Sequence, residues 1–324
     1  MATAARFNRA TFNPVLSEGL DEFDLMASQA ELVGFQIAPV FEVARQTGEY
    51  TKAEVKDLLK EYSTYRHDGG EYASGTVTFS KDSYTTAEHG FEVPVDDREA
   101  AIYRSYYDAE MAAANLARDV VIRNHTRRVV TAALAGTSLT AAAASYWTLR
   151  DSSDPVADVD AAKKSIKESS GFMPNAICLN WRNWMELRDS AAIRDRCVNL
   201  GMVDARVQPM LTKQMVASAL DLDFVFVSGG QRNASIEPTA PTTLTDIWTN
   251  TKALVFRYYD GPNLKTPHYM RTFHWGEDGS NIGGQYETYY SDAKRCRMFR
   301  QRMDTAEKVI TPECGYVITG ISAS

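Results

Sequence analysis

The residues of this chain that could carry catalysis or bind a metal are few and scattered. Its five histidines, His67, His89, His125, His268 and His274, form no H-E-x-x-H phrase, and an imidazole that moves protons or holds a metal needs partners that the fold brings to it. Cys178, Cys197, Cys296 and Cys314 stand far apart with no C-x-x-C pair, so they read as free thiols rather than as a zinc site or a disulfide framework. Asp158 with Asp160, and Asp221 with Asp223, have the two-residue spacing of a calcium loop, but the Gly turn and distal bidentate Glu do not follow; capping and solvated faces account for them. The Gly-rich run Trp275-Gly-Glu-Asp-Gly-Ser-Asn-Ile-Gly-Gly284 lacks the Lys of a phosphate cradle and reads as a loop between strands, and no G-x-S-x-G elbow is present. No catalytic, metal or cofactor-binding residue is assigned, no cofactor is expected, and the chain is not expected to be an enzyme.

Contact chemistry is richer. Arg118, Arg123, Arg127 and Arg128 cluster in one stretch, where they either meet phosphate or form a solvated face. Trp181 and Trp184 suit core packing better than a ligand pocket. A formal net charge of -7 excludes a protein whose whole surface grips nucleic acid, so any contact with DNA is local and without base specificity. With 44% hydrophobic and 24% charged residues, the 324-residue chain falls in the globular range. The N-terminal stretch lacks an apolar run of signal-peptide length, and no segment approaches a membrane span, so synthesis is expected in a cytoplasm and no membrane partner is expected.

The elements that must position these residues fall in a definite order. Residues 1–46 begin polar and end in a short apolar stretch broken by Pro39. Residues 47–66 open with a predicted helical face of Val55, Leu58, Leu59 and Tyr62, then pass into DGGEYASGTVTFSKDSYTTAEHGFEVPVDDRE, a β pattern too polar to offset the cost of ordering its own backbone. Asp96 is the predicted N-cap of a long helix and Glu99 its reciprocal partner, and the stretch from about 96 to 135 contains no Gly or Pro. Ile102, Tyr106, Leu116 and Val120 form its predicted apolar stripe. A second helix is predicted from Asp158 to Ser169, a strand at Ala176–Leu179, a helix through Trp181 to Ile193, a helix around Met215 and a strand over 223–229. Residues 230–246 read as an exposed loop, and strands follow at Ala253–Tyr259, Tyr286–Tyr290, Cys296–Met303 and Glu313–Thr319.

Taken in order, these segments resemble the major capsid proteins of tailed double-stranded DNA bacteriophages, which have the α+β Hong Kong 97 fold. The matching stretches are Ser83 to Asp97 (SYTTAEHGFEVPVDD), Trp147 with Ser153-Asp-Pro-Val-Ala-Asp158, Gly171 with Pro174-Asn175, and Ile247-Trp248 before Ala253-Leu-Val. The resemblance implies an N-terminal arm at 1–46, an E-loop at 47–93, a peripheral domain from 94–144 and 271–324 built on the spine helix, and an axial domain at 145–270. It further implies that the E-loop lies over a neighbouring subunit, with Tyr72, Val77, Phe79 and Tyr84 as its contacts, and that Arg6, Arg9, Arg118, Arg123, Arg127 and Arg128 can face packaged DNA.

By the same resemblance the chain would assemble with itself into hexamers and pentamers of an icosahedral shell, alongside scaffolding, portal and decoration proteins, and would reside in the virion after assembly in the host cytoplasm. Lys52, Lys56, Lys60 and Lys81 lie where some members crosslink, but no motif assigns such a bond, and solubilising lysines explain them. An encapsulin-like compartment enclosing protein cargo is the alternative on the same fold.

Overall fold

The computed structural model describes residues 11–12, 32–53, 60–76, 79–98, 109–137, 139–202, 210–233, 244–264, 266–277, 279–280, 282 and 286–323. In chain order these give β1 (Thr11–Phe12), α1 (Gly34–Ile37), β2 (Val40–Val43), β3 (Thr47–Ala53), β4 (Phe79–Thr85), β5 (Ala87–Asp96) and the long helix α2 (Ala109–Ala135). β6 (Thr140–Ala142), α3 (Pro155–Ser170), β7 (Ala176–Asn180), α4 (Trp181–Asp189), α5 (Ala191–Asn199), α6 (Lys213–Ala219) and β8 (Phe224–Ser228) follow. The chain ends with β9 (Gln231–Asn233), β10 (Leu244–Asp246), β11 (Lys252–Phe256), β12 (Met270–Trp275), β13 (Tyr286–Ser291), β14 (Cys296–Val309) and β15 (Gly315–Thr319).

Two sheets carry the fold. The first is organised by the 14-residue strand β14: β5 runs along it from Cys296 to Thr305, while β13 and β12 take its successive stretches, with β1 and β2 at the ends. The second has the order β6-β15-β11-β7-β8. Its central strands are buried on both faces, which is why Ala176–Leu179 reads as a continuous apolar run. Ile177, Leu179, Ala253, Val255 and Ile318 pack towards α3–α6, whereas Ala176, Cys178, Leu254, Phe256 and Val317 pack against α1 and the C-terminal turns of α2. Residues 271–324 contribute to both sheets: β12–β14 belong to the first sheet, and Gly315–Thr319 joins the sheet of the 145–270 segment.

The long helix is present, with a buried face that differs from the predicted one. Its 27 described residues span about 40 Å at 1.5 Å per residue. Helical backbone also starts at Asp97, where the Asp96 carboxylate accepts the Arg98 N–H at 2.8 Å; Glu99, Ile102 and Tyr106 lie outside the described residues. Leu116 is 50% exposed, and the buried face is made instead of Ala113, Ala114, Ala117, Val121 and Ile122. Small side chains let the helix approach the strands closely, with Ala113 and Ala114 against Phe299 and Val95.

The phrases behind the resemblance have local causes. Asp158 accepts the fully buried Trp147 indole N–H at 2.9 Å and the Ala144 N–H at 3.1 Å, so it ties the chain ahead of α3 to that helix. Asp154, not Asp158, caps α3 by accepting the Ala157 N–H, Pro155 fits the first turn, and Gly171 ends the helix at φ 76. The Asn175 side chain accepts the Tyr258 N–H at 2.7 Å and donates to the Tyr258 carbonyl at 3.2 Å, joining β7 to the chain after β11. The predicted helix through Trp181 to Ile193 is two helices, because Ser190 adopts extended backbone between them. Within the predicted loop 230–246, β9 and β10 form a short antiparallel pair.

Candidate functional site

The segment too polar to fold by itself is a two-stranded hairpin with an anchored base and a free far end. At the base, β3 pairs antiparallel with β4 from Thr47↔Thr85 to Ala53↔Phe79, so the helix predicted over 47–66 is a strand in its first seven residues. Val55, Leu58 and Leu59 lie outside the described residues. Tyr50 and Tyr84 project from the pair onto the fully buried Phe273 of β12: the Tyr84 ring stacks at 4.7 Å between centroids and 11° between planes, and the Tyr50 ring sits at 5.4 Å. Phe41 closes the cluster edge-on at 5.8 Å, with Ala306 and Ile310 beneath. Gly48 must stay small, since a Cβ there would fall 2.6 Å from the Tyr84 hydroxyl. Burial and the hydrogen bond to Asp82 at 2.9 Å raise the Tyr50 phenol pKa well above its ordinary value.

Tyr84, which the resemblance places among the E-loop contacts, is thus packed in the core of its own chain. It faces inward because the two-residue side-chain period of β4 places it on the same side as the buried cluster. Phe79 ends the strand pairing, opposite Ala53, and Val77 lies outside the described residues.

Beyond the base, residues 60–76 are exposed at every position except the half-buried Gly70. Tyr65 and Tyr72 are 74% and 75% exposed and Tyr62 is 46% exposed. The tip has local order: Gly70 N–H reaches the His67 carbonyl at 2.9 Å, Gly69 takes φ 79, and Arg66 donates to the Gly70 carbonyl at 2.6 Å while its guanidinium lies 4.7 Å over the Tyr72 ring. Three tyrosines on a segment without Val, Leu, Ile, Met or Phe are held out from the body.

The arginines of α2 divide into separate roles. Arg118 is 3% exposed, because it lies one turn from Ala114 and Val121 on the buried face, so its side chain is packed inside its own chain. Arg123 pairs with Asp119 one turn back along the helix. Arg128 forks onto Glu307 of β14, with Nε to Oε2 at 3.1 Å and Nη2 to Oε1 at 2.9 Å. Burial raises the Glu307 carboxyl, but the Arg128 hydrogen bond and the His125 and Arg128 charges outweigh it and hold the group below its ordinary range. Arg127 is exposed. Arg6 and Arg9 lie outside the described residues.

The basic run from Lys294 to Arg302 is largely neutralised within the chain. Arg297 donates to Glu110 at 2.6 Å, Arg300 pairs with Glu92 and with Glu287 at 3.4 Å, and Arg302 reaches Glu287 at 2.9 Å.

One arrangement follows the order of a hydrolytic triad. His274 Nδ1 lies 3.4 Å from Glu42 Oε1, and its Nε2 lies 3.3 Å from Ser280 Oγ, beside a cavity of about 590 Å³. The Ser280 hydroxyl, however, also donates to the Trp275 carbonyl at 2.9 Å, and the Gly279 N–H is taken by the Gly276 carbonyl at 3.1 Å, so nucleophile and nearby amide are already engaged. This arrangement pins the Gly-rich loop that follows β12. All four cysteines are buried and none is in a disulfide, burial pushes the Cys178 and Cys197 thiols up, and no cluster of metal-ligating side chains occurs among the described residues. No helix among the described residues is long and apolar enough to cross a membrane.

No protein-family profile matches the sequence, and no curated protein does. Solved structures match along nearly the whole chain. A phage-related protein from Bordetella bronchiseptica RB50 is similar at TM-score 0.67 and 18% identity, covering 96% of this chain and 98% of that one. The capsid structure of the cyanophage P-SCSP1u is similar at TM-score 0.55 and 10% identity, over 87% of this chain and 86% of that one. The virus-like particle from Pyrococcus furiosus gives TM-score 0.50 and 12% identity over 90% and 96% of the two chains. The chain has the α+β Hong Kong 97-type fold that its segment order resembles.

Proposed function

We propose that this chain is the major capsid protein of a tailed bacteriophage, joining as hexamers and pentamers into an icosahedral shell that encloses double-stranded DNA. The observation that carries this reading is the hairpin: its base is locked to its own chain by Tyr50, Tyr84 and Phe273, while residues 60–76 stand exposed with three tyrosines. Aromatic residues held out on a polar arm suit a protein partner, since each buries a large apolar area at low entropic cost. A sister copy supplies that partner in a lattice where many modest contacts sum to a closed shell.

In this reading residues 1–46 are the N-terminal arm, 47–93 the E-loop with Tyr72 at its contact surface, and α2 the spine of the peripheral domain. The sheet β6-β15-β11-β7-β8 with α3–α6 is the axial domain. The exposed Arg127, with Arg6 and Arg9 of the arm, screens packaged phosphate without reading sequence. Scaffolding, portal and decoration proteins are further partners, assembly takes place in the host cytoplasm, and the product is the virion head. The chain acts by mechanical enclosure and not as an enzyme.

Deleting residues 62–74 tests the proposal. The full chain is expected to give closed particles in electron micrographs, and the deletion variant a folded, soluble subunit without shells. Shells of normal size from the variant would overturn the reading. Packaged nucleic acid in particles purified from infected cells separates a phage head from a cargo compartment.

A further inference from the structure

His125 sits in the middle of α2 with its ring fully buried, where it meets Phe35 of α1, Thr272 of β12 and Glu307 of β14. Its surroundings fix where its proton resides. The Thr272 hydroxyl spends its hydrogen on the Ala38 carbonyl at 3.0 Å, so the Thr272 oxygen, 3.2 Å from His125 Nε2, must accept from the ring. Nε2 therefore carries the hydrogen, and Nδ1 is the bare nitrogen.

Nδ1 has no hydrogen-bond partner. It points at Gly34, where a Cβ would stand 3.0 Å away, and the Phe35 ring stacks on the imidazole at 4.2 Å and 16°. A second proton would enter at Nδ1, against a wall made by α1 that offers no acceptor among the described residues. The ionisable groups around the ring do not compensate. Glu307 of β14 lies 3.6 Å from Nε2 but is already forked by Arg128 of α2, His89 of β5 and Arg128 both oppose a positive ring, and Asp304 of β14 acts on His89. Among the described residues, α1 and the facing part of β12 present no charged side chain to the ring.

We propose that the Phe35–His125–Thr272 stack is a proton-operated clasp: protonation of His125 opens the contact between α1 and the spine helix and frees the segment Val33–Ala38 from the body. The clasp joins the chain leading out of the N-terminal arm to the element that carries the peripheral domain, so opening it loosens the arm without unfolding the sheets. Burial, opposed by Glu307 and reinforced by Arg128 and His89, lowers the His125 pKa from 6.5 to about 4. The closed form thus binds fewer protons than the open form between these values. Closure is complete above pH 6.5 and weakens as pH falls towards 4, with the open fraction rising about fortyfold from pH 6.5 to 4.5. The proposal concerns one chain and stands whether or not the chain builds a shell.

Hydrogen exchange followed by mass spectrometry on the full-length protein tests it, with rates corrected for the intrinsic effect of pH. Protection of the peptide spanning Ile37 and Ala38, whose amides bond to Val33 and Gly34 at 2.9 and 3.0 Å, is expected to fall about fortyfold from pH 6.5 to 4.5 while β7 and β11 stay protected. In His125→Gln, which keeps a donor towards Thr272 and cannot take the proton, that fall is expected to vanish, and in His89→Gln to remain. Unchanged protection in the wild-type protein, or an equal fall in His125→Gln, would overturn the clasp. Should the Gln variant fail to fold, NMR titration of 13C-labelled histidine in the wild-type protein replaces it. His125 protonation is expected to coincide with loss of protection, and a ring that protonates while α1 stays protected would refute the proposal.

Discussion

The two ends of the β3–β4 hairpin share a polar composition and differ in what they touch. At the base, Tyr50 and Tyr84 meet Phe273 and the backbone is pinned; at the far end, Tyr65 and Tyr72 meet solvent. A polar β segment is ordered wherever its few aromatic residues find a wall, and here the chain supplies that wall for one half only. The base belongs to the folding of the chain itself, and the tip is the half that the proposed function assigns to a partner.

The strongest challenge to this contrast is Phe273→Ala. Removing a fully buried ring that three aromatic side chains contact is expected to cost about 3–5 kcal/mol in urea denaturation, with the hairpin base losing protection first. A loss below about 1 kcal/mol would show that the base is not anchored as described.

Acid provides a second, smaller perturbation confined to the body. Burial lowers both His125 and His268 to about 4, so each disfavours protonation in the folded state, and folding stability is present above pH 6.5 and lost as pH falls towards 4. Each is expected to remove about 2 kcal/mol between pH 7 and pH 5, measured by denaturant titration at the two pH values. Smaller again is Asp154→Ala, which deletes the carboxylate that caps α3 and is expected to cost about 1 kcal/mol by thermal denaturation, without affecting the hairpin.

The smallest effect on the single subunit is expected from Tyr65→Ser with Tyr72→Ser. Stability should stay within about 0.5 kcal/mol of the parent, because neither ring is buried, while particle yield in electron micrographs should collapse. Normal particle yield from this double variant would remove the distinction between base and tip.

Much of the architecture can be read from residue order, because strands buried on both faces and helices with clear caps declare themselves locally. Ala176–Asn180, Lys252–Phe256 and the glycine-ended helix α3 fall within a few residues of their predicted spans. Errors arose where tertiary packing overrode local pattern. Residues 47–53 carry a helix-compatible spacing but are recruited as a strand by pairing with β4, a partner more than 25 residues away. On α2, alanines take the buried face because the strands beneath lie close, which leaves Leu116 outside and draws Arg118 inside. The placement of Tyr84 depends on Phe273, far along the chain, and no short-range pattern encodes that contact. The His125 environment is equally hidden, since Phe35, Thr272 and Glu307 come from three distant segments.

The crossing of Gly315–Thr319 between β6 and β11 has a consequence for biosynthesis. Both neighbouring strands leave the ribosome well before the one that joins them, and until it arrives each shows a raw hydrogen-bonding edge. A prematurely terminated product would keep those edges open and invite proteolysis or clumping. A strand that follows both of its neighbours in the chain thus closes two edges at once when it docks.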